Sequence, residues 1–394
     1  MSNMTPRTAV IVDAVRTPGG KRNGKLQDWH PAELGAHVLK ALEERNGLDP
    51  AMVDDVIMGC VMQVGEQSLN IGRNAVLTAG WPESVPATTV DRQCGSSQQA
   101  LHFAAQGVIA GAYDIAIAAG VEVMTRTPMG ASVVKGMGMP FPPAMQERYE
   151  DTGLPPQGIG AEMIADEYGI TRDDLDSYGA ESQRRAAVAT EEGRFENEIV
   201  PVPVTIDGQV EMMTNDEGIR LGTTPETLGN LKPAFKEDGK VTAGNSSQIS
   251  DGASAVLVMS EEKANELGLK PRARFHSFAV VGADPVTMLK GPIPATEKIL
   301  ERSGLTIDDI DLFEVNEAFA SVVLAWQKEH NTDLSKTNVN GGAIALGHPL
   351  GSSGTKLMAT LLNELERTGG RYGMQTMCEG GGLANATIIE RMGD

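Results

Sequence analysis

The segments "ALEERNGLDPAMVDDVIMGC" (residues 41–60) and "ILERSGLTIDDIDLFEV" (residues 299–315) follow one plan. In each, the end of an amphipathic helix is followed by a glycine, an acidic pair and an apolar strand. The two glycines, Gly47 and Gly304, lie 257 positions apart. This similarity predicts that the chain contains two copies of one folding unit.

Further matches occur at nearly the same spacing. The Gly-Ser-Ser of residues 95–97 recurs at 351–353, and "YDIAIAAG" (113–120) resembles "YGMQTMCEGG" (372–381), with Gly120 aligned on Gly380. The opening strand "TAVIVDAV" similarly resembles "ARFHSFAVV" near residue 273. Because each copy alternates strands with helices, the sequence predicts an α/β architecture in which helices cover mostly parallel sheets.

An insertion separates the two copies. It begins with "MTRTPMGASVVKGMGMPFPPAM" (124–145), whose Gly, Pro and Met content predicts an irregular loop. Its methionines either adapt to variable apolar ligands or fill gaps in a core. We expect a first half at 1–123 that 248–270 rejoins, a loop domain at 124–247, and a second half at 271–394.

Composition narrows the function. The 394 residues carry a formal net charge of −20, which argues against nucleic-acid binding because phosphate backbones require a basic surface. The chain has neither an export signal nor a long uncharged apolar run, so we expect a cytoplasmic protein without membrane insertion. Three cysteines at unrelated positions form neither a disulfide framework nor a short metal motif.

One cysteine lies at the predicted start of a helix. In "DRQCGSSQQA" (91–100), Cys94 follows a strand and precedes a helix expected from Ser96 to Ile109. A helix N-terminus favours an anion, so the thiol pKa is predicted to be lowered and the thiolate to act as a nucleophile. The alternative is a buried, inert cysteine. Cys60 closes a strand and is interpreted as a core residue.

Three residues of the second copy are candidates for the same chemistry. His348, in "NVNGGAIALGHPLGSSG" (338–354), precedes the helix that matches the one after Cys94, so it is either a proton acceptor facing that thiol or a hydrogen-bonded structural imidazole. Cys378 precedes three glycines and is a candidate second proton-transfer group. Asn316, in "EVNEAFAS" (314–321), either caps a helix or holds a water against an oxyanion.

Taken together and in this order, "QCGSS", "NEAFA", "NGGAIALGHPLGSSG" and "CEGGG" resemble the four signature blocks of the thiolases. That family includes acetyl-CoA acetyltransferases and 3-ketoacyl-CoA thiolases, and the resemblance covers the chain end to end. It implies the thiolase fold, a duplicated five-layered αβαβα core with an inserted loop domain that builds most of the coenzyme A pocket. It also implies a homodimer or homotetramer.

The resemblance implies a role for each candidate residue. Cys94 would take the acyl group, His348 would activate it, and Cys378 would be the acid/base at the α-carbon. Asn316, through a water, and His348 would form one oxyanion hole. The backbone N–H groups of Cys94 and Gly380 would form the other. Coenzyme A would be a substrate, with no permanently bound cofactor and no metal.

The same resemblance implies contacts with coenzyme A. It places Arg220 near the adenine, Ala243 and Ser247 along the pantetheine, and Met288 and Phe319 beside the acyl end. The chain departs from the family in "LPPQGIGAEM" (154–163), where acetoacetyl-CoA-forming members have a His-Met pair in place of Pro156 and Gln157. This departure favours longer or bulkier acyl chains, as in bacterial thiolases that act on fatty or sterol side chains.

The predicted function is therefore the reversible, CoA-dependent cleavage of 3-ketoacyl-CoA to acetyl-CoA and a shortened acyl-CoA through a Cys94 acyl-enzyme. An acetoacetyl-CoA thiolase working in the condensing direction is the alternative. Other classes remain open: a Cys/His hydrolase, a non-catalytic acyl-CoA carrier or β-oxidation scaffold, and a zinc site, in which the metal would occupy the nucleophile.

Overall fold

A computed structural model describes residues 7–393. The strands are β1 Ala9–Arg16, β2 Gly20–Lys21, β3 Asp55–Gly59, β4 Ala87–Val90, β5 Ile115–Val123, β6 Val202–Ile206, β7 Gln209–Met213, β8 Ser250–Ser260, β9 Ala273–Gly282, β10 Leu312–Val315, β11 Tyr372–Glu379 and β12 Leu383–Arg391. The α-helices are α1 Pro31–Asn46, α2 Ile71–Thr78, α3 Ser96–Ile109, α4 Pro143–Arg148, α5 Gln157–Glu167, α6 Arg172–Glu191, α7 Pro225–Gly229, α8 Glu261–Glu266, α9 Pro292–Ser303, α10 Ala320–His330, α11 Ala343–Leu346 and α12 Ser353–Thr368.

The two halves have the same strand order. The first half orders its strands β4-β3-β5-β8-β1, and the second orders β10-β11-β12-β9, with a bridge between Phe313 and Thr337 in the place of the outermost strand. In each half one strand, β8 or β12, runs against the others. Strands β1 and β9 join the halves edge to edge through two residue pairs. The predicted duplication is therefore present in the topology.

The layers follow from side-chain alternation along the strands. In β1, Val10 and Val12 face the core under α1 and α2, whereas Ala9 and Ile11 face a separate core shared with α3 and α12. Helices α9 and α10 cover the outer face of the second half, where Trp326 packs edge-on against Phe313. Helices α3 and α12 pack together between the halves, giving the five αβαβα layers.

Hydrogen bonds fix how the halves correspond. Asp54 accepts the backbone N–H groups of residues 114 and 115, and Asp311 accepts those of residues 371 and 372. The Asn385 amide donates to the Gly95 carbonyl, and the Ser254 hydroxyl donates to the Ser352 carbonyl. Strand β3 aligns Gly59 with Gly120. Strands β10 and β11 continue the same parallel register.

The pairing of Asp54 with Asp311, that of Gly95 with Ser352 and the two parallel strand registers all have the 257-residue spacing of the two helix-ending glycines, both of which are left-handed. Gly95 therefore corresponds to Ser352, and Gly120 to Met377. The sequence-based pairings of Gly95 with Gly351 and of Gly120 with Gly380 were wrong by one and three positions. Glycine-rich turns are easily aligned with one another, whereas strand register depends on hydrogen bonds that the letters do not reveal.

The insertion after β5 is irregular at first, as predicted. Met137 and Met139 are 82% and 68% exposed, so they do not fill a core gap. A buried ion pair fastens the insertion to the first half, because Arg16 of β1 binds both Glu198 and Asp216. Strand β8 follows the insertion and lies between β1 and β5. Within residues 7–393, no helix combines the length and apolar character needed to cross a bilayer.

Candidate active site

Cys94 occupies the tight turn immediately before α3. Gln93 has a left-handed φ of 48°, and Gly95 is the N-cap of the helix, which begins at Ser96 as predicted. The Cys94 side chain is buried in a small apolar cluster with Leu357 of α12 and Met377 of β11. The nucleophile candidate therefore lies where the two central helices and the second sheet meet.

The predicted lowering of the Cys94 pKa is wrong for the free protein. Burial raises the pKa of this thiol well above its usual value, and Cys378, Glu379 and Glu122 add to the rise. Desolvation and neighbouring negative charge therefore outweigh the helix N-terminus. The resting side chain is a thiol, and a thiolate requires a proton acceptor at the moment of reaction.

His348 has the protonation state of such an acceptor. Burial, together with the Lys356 ammonium, lowers its pKa to about 3, so the imidazole is neutral. The Ser353 hydroxyl donates to the Pro349 carbonyl at 2.8 Å, so its oxygen is free to accept the Nδ1–H of His348 at 2.5 Å. Nε2 is then unprotonated and faces the site. The backbone N–H of His348 is fixed by the Gln248 carbonyl.

Asn316 connects His348 with the second cysteine. Its Nδ2 lies 3.4 Å from Nε2 of His348, and its side chain hydrogen-bonds the Cys378 thiol. The backbone N–H donates to the Thr376 carbonyl of β11. The capping alternative is wrong, because α10 begins at Ala320 with Phe319 as its N-cap.

Cys378 and Gly380 lie at the end of β11. Burial and the neighbouring Glu379 raise the pKa of Cys378 to about 12. A Cβ atom on Gly380 would lie 3.0 Å from Oε1 of Gln93 and 3.5 Å from Nε2 of Gln157. The turn after β11 therefore approaches both the Cys94 turn and the start of α5.

The structure thus brings the five predicted catalytic residues to one place. Cys94 is electrostatically coupled to Cys378, Cys378 is hydrogen-bonded to Asn316, and Asn316 lies against His348. The group contains two thiols, a neutral imidazole and an amide donor. Such a set can exchange an acyl group and move a proton at a second position. Cys60 is buried in the outer core of the first half, as predicted.

The predicted coenzyme A residues fall into two groups. Phe319 and Met288 belong to the same apolar cluster as Cys378, and the Ser247 N–H donates to the Ala318 carbonyl beside them. Arg220 and Ala243 instead are exposed on the insertion. The backbone N–H of Arg220 is held by Gln183 of α6, which leaves its side chain at the surface.

Glu317 is a buried residue of the site that sequence reasoning missed. Its carboxylate accepts hydrogen bonds from Tyr178, Ser182 and the backbone N–H of Ile344. It therefore fixes the glycine-rich loop that leads to His348. The sequence does contain a signal for this residue, because an acidic side chain directly precedes the apolar "AFA" of the signature block "NEAFA". Of the two polar residues in that block, only the asparagine was predicted to have a role.

Two further acidic residues, Glu122 and Glu379, were also overlooked. Both are fully buried at the ends of β5 and β11, and both contribute to the raised pKa of Cys94. Glu122 interrupts the apolar stretch "AGVEVM", and Glu379 interrupts the glycine-rich stretch "CEGGG". Because glutamate is rarely buried, an acidic residue within such a stretch indicates a position with a special role. Within residues 7–393, no cluster of three or more His, Cys, Asp or Glu residues is arranged to hold a metal.

Family models match the two halves. The model described as thiolase, N-terminal domain, covers residues 9–262, and the one described as thiolase, C-terminal domain, covers residues 269–391. The chain belongs to the thiolase family. The predicted thiolase fold and the predicted acyltransferase class are both confirmed.

Named relatives extend over nearly the whole chain. The steroid 3-ketoacyl-CoA thiolase FadA6 of Mycobacterium tuberculosis is 50% identical, covering 98% of this chain and 94% of its own length. The 3-ketoacyl-CoA thiolase of Aliivibrio fischeri is 47% identical, covering 98% and 100%. Among solved structures, the Bacillus anthracis acetyl-CoA acetyltransferase is 38% identical and human mitochondrial 3-ketoacyl-CoA thiolase 37% identical. Both have a TM-score of 0.89 and cover 98% of this chain and 99% of their own.

Proposed function

We propose that this thiolase catalyses the CoA-dependent cleavage of 3-ketoacyl-CoA to acetyl-CoA and a shortened acyl-CoA. The observation that carries the proposal is the buried group of four side chains in which Cys378 acts electrostatically on Cys94, and Asn316 lies between Cys378 and His348. One thiol accepts the acyl group and the other handles protons. The names of the similar proteins support the same reaction.

Acylation of Cys94 is the first half-reaction. Nε2 of His348 takes the thiol proton, and the thiolate sulfur attacks the 3-keto carbon of the substrate. The bond between C2 and C3 then breaks, leaving the acyl group on sulfur and the acetyl-CoA enolate as the leaving group. Cys378 donates its proton to C2, which releases acetyl-CoA and leaves the Cys378 thiolate. Asn316, which already donates to Cys378, stabilises that thiolate.

Transfer to coenzyme A is the second half-reaction. The Cys378 thiolate takes the proton of the incoming CoA thiol, and the CoA sulfur attacks the thioester on Cys94. The Cys94 sulfur leaves and recovers its proton from His348, which restores both cysteines. Each step is reversible, so the same residues serve the condensing direction.

We also propose two oxyanion holes, which the same geometry supports. The Asn316 amide and His348 lie together and are suited to hold one oxyanion, with a water between amide and substrate. The backbone N–H groups of Cys94 and Gly380 belong to two turns that approach each other beside Gln93. We assign the thioester oxygen to this second pair.

Coenzyme A is proposed to bind across the insertion as a substrate, without a resident cofactor or metal. The exposed Arg220 guanidinium suits stacking on a base and pairing with phosphate, which this acidic chain needs for a polyanionic ligand. Ala243 and Ser247 would follow the pantetheine, and Met288 and Phe319 would contact the acyl end. An Arg220→Ala variant should raise KM for CoA with little effect on kcat.

The acyl pocket is proposed to accept chains longer or bulkier than acetoacetyl. Gln157 starts α5 beside Gly380, and Phe235 lies edge-on to Phe319 next to Gly158, so an amide and two aromatic rings border the acyl end. The 50%-identical relative named as a steroid 3-ketoacyl-CoA thiolase supports a bulky substrate. The segment from Met137 to Met163 would set the limit of the pocket.

A series of 3-ketoacyl-CoA esters tests the substrate. Each buried methylene contributes up to about 0.8 kcal/mol, so four added carbons should improve apparent affinity by more than about tenfold before the wall closes. If acetoacetyl-CoA is cleaved well while esters of about six to eight carbons are not, the pocket is short. The 38%-identical acetyl-CoA acetyltransferase from Bacillus anthracis would then be the better functional guide.

We further propose that the enzyme is a cytoplasmic homodimer or homotetramer that does not bind nucleic acid and does not insert into membranes. The family resemblance supports the oligomer, and the net charge of −20 supports the lack of nucleic-acid binding. Light scattering on the purified protein should give two or four times the 41.7 kDa chain mass.

A further inference from the structure

Glu122 and Glu379 occupy equivalent positions in the two halves. They are separated by the same 257 positions that relate Asp54 to Asp311 and the strand registers of the two sheets. Each lies at the C-terminal end of its strand, Glu122 one residue before the end of β5 and Glu379 at the end of β11, on the face that looks into the central helical layer. On β11 that face also carries Gln375, which hydrogen-bonds Gln98 of α3, and Met377, which packs against Cys94.

Glu122 has the contacts expected of a structural anchor. Its carboxylate accepts from the backbone N–H groups of Val61 and Met62, from the side chain of Gln67, and from the N–H of Gly351 before α12. It therefore fastens the first sheet to the central helix of the second half. These four donors lower its pKa, although burial outweighs them.

Glu379 has none of the corresponding bonds. By the same spacing, the N–H equivalent to that of Gly351 is the N–H of Cys94. Yet neither carboxyl oxygen of Glu379 has a hydrogen-bond partner among residues 7–393, although the residue is fully buried. The carboxyl instead lies directly against Gly95, where a Cβ atom would collide with it. A buried carboxylate is thus placed beside the nucleophile without the donors that would stabilise its charge.

The groups around Glu379 come from three segments. Arg92 and Asp91 precede α3; the charge of Arg92 lowers the pKa of Glu379 and that of Asp91 raises it. Glu379 in turn raises the pKa of both Cys94 and Cys378. From β12, the Asn385 amide is committed to the Gly95 carbonyl. Among residues 7–393 the buried Nε of Arg92 has no hydrogen-bond partner either, so Arg92 does not close a hydrogen bond with Glu379.

We propose that Glu379 is a positioning residue that works as an uncharged carboxylic acid, and that its ionisation switches the site off by opposing formation of the Cys94 thiolate. In the neutral form it leaves the Cys94 N–H free for the thioester oxygen. In the ionised form it places a negative charge beside both sulfurs, each of which must become a thiolate during the reaction. This inference rests on the proposed roles of Cys94 and Cys378.

The pH window follows from the carboxyl itself. Burial, opposed by Arg92, raises the pKa of Glu379 to about 8. Below that pH a glutamine is a close mimic of the protonated side chain, and above it only the native residue acquires a charge. A Glu379→Gln variant should therefore behave like the native enzyme at low pH and depart from it at high pH. A purely structural role would change the rate by one factor at every pH.

The test measures alkylation of Cys94 by iodoacetamide, followed by peptide mass spectrometry, from about pH 6 to about pH 10. We expect equal rates for native protein and Glu379→Gln below about pH 7, and about tenfold faster modification of the variant above about pH 9. The alkaline decline of kcat should shift in parallel. Glu390→Gln, at the far end of the same strand pair, is the matched control and should follow the native profile.

Coincident profiles for native protein and Glu379→Gln, or a constant ratio at all pH values, would overturn the proposal. Glu379→Leu, which also lacks a charge, repeats the test if the glutamine variant does not fold. Alkylation reports on the thiol without requiring acyl transfer. Diverging profiles in a protein without thiolase activity would thus disprove the proposed function while leaving the role of Glu379 intact.

Discussion

The two halves share a topology but not a chemistry. Cys94 in the first half corresponds to Gly351 in the second, and Asn316 in the second corresponds to Gly59 in the first. These two glycines touch, because a Cβ on Gly351 would lie 2.7 Å from the Gly59 carbonyl oxygen. Each reactive position is thus kept in one copy, while its equivalent is reduced to a glycine that lets the halves approach closely.

Removing the nucleophile tests this asymmetry with the largest expected effect. Cys94→Ala should lower kcat by about 10⁴-fold or more, since the equivalent position in the second half is Gly351, which has no side chain to accept an acyl group. Acid quenching with acyl-CoA and peptide mass spectrometry should find the added mass on Cys94 alone in the native enzyme. Cys60→Ala is the control and should keep its activity. A label on Cys60 or Cys378 with Cys94 clean would refute the assignment.

Substitution of the two second-half residues, His348 and Cys378, should impair different steps of the reaction. His348→Ala removes the acceptor of the Cys94 proton and should prevent acylation, with about 10³-fold loss of activity. Cys378→Ala should lose a similar factor in turnover but still form some acyl-enzyme, because its proton transfers serve the α-carbon and the second CoA. Rapid-quench measurement of the acyl-enzyme separates these outcomes. Equal and complete loss of acyl-enzyme in both variants would contradict the division of roles.

The sequence was informative where one residue type at one position carries the chemistry. The duplication, the start of α3 and the grouping of the candidate catalytic residues at one place followed from glycine turns and signature blocks. The Cys94 pKa did not follow, since it depends on burial and on Glu122 and Glu379, which lie far away in the chain. The register between the halves was also missed, because hydrogen bonds rather than residue types determine it.

The contact between the halves allows a test on stability. In Gly351→Ala the new Cβ meets only backbone atoms of Gly59, Cys60 and Val121, which cannot move aside, so about 3 kcal/mol or more of unfolding free energy should be lost. In Gly95→Ala the Cβ meets side-chain atoms, chiefly the Glu379 carboxyl, which can shift. Gly95→Ala should therefore have an unfolding free energy, measured in urea, closer to that of the native protein. Equal destabilisation by Gly351→Ala and Gly95→Ala would contradict the expected difference between the backbone contact at Gly351 and the side-chain contact at Gly95.

The smallest expected effect is the difference in unfolding free energy between the variants Glu122→Gln and Glu379→Gln. Glu122→Gln should cost about 2 kcal/mol, because the N–H groups of Val61, Met62 and Gly351 then face an amide that donates as well as accepts. Glu379→Gln should be more stable than the native protein by about 1 kcal/mol near neutral pH, since folding there obliges the native carboxyl, but not the amide, to take up a proton. The pKa of Glu379 is raised from 4.5 to about 8 by burial, so the folded state holds this proton more tightly than the unfolded chain. Native stability should therefore fall as pH rises from about 4.5 to about 8. Urea unfolding across that window should show a shallower decline in Glu379→Gln. If both variants lose stability equally and keep the native pH dependence, the two carboxyls have the same structural role in their two halves.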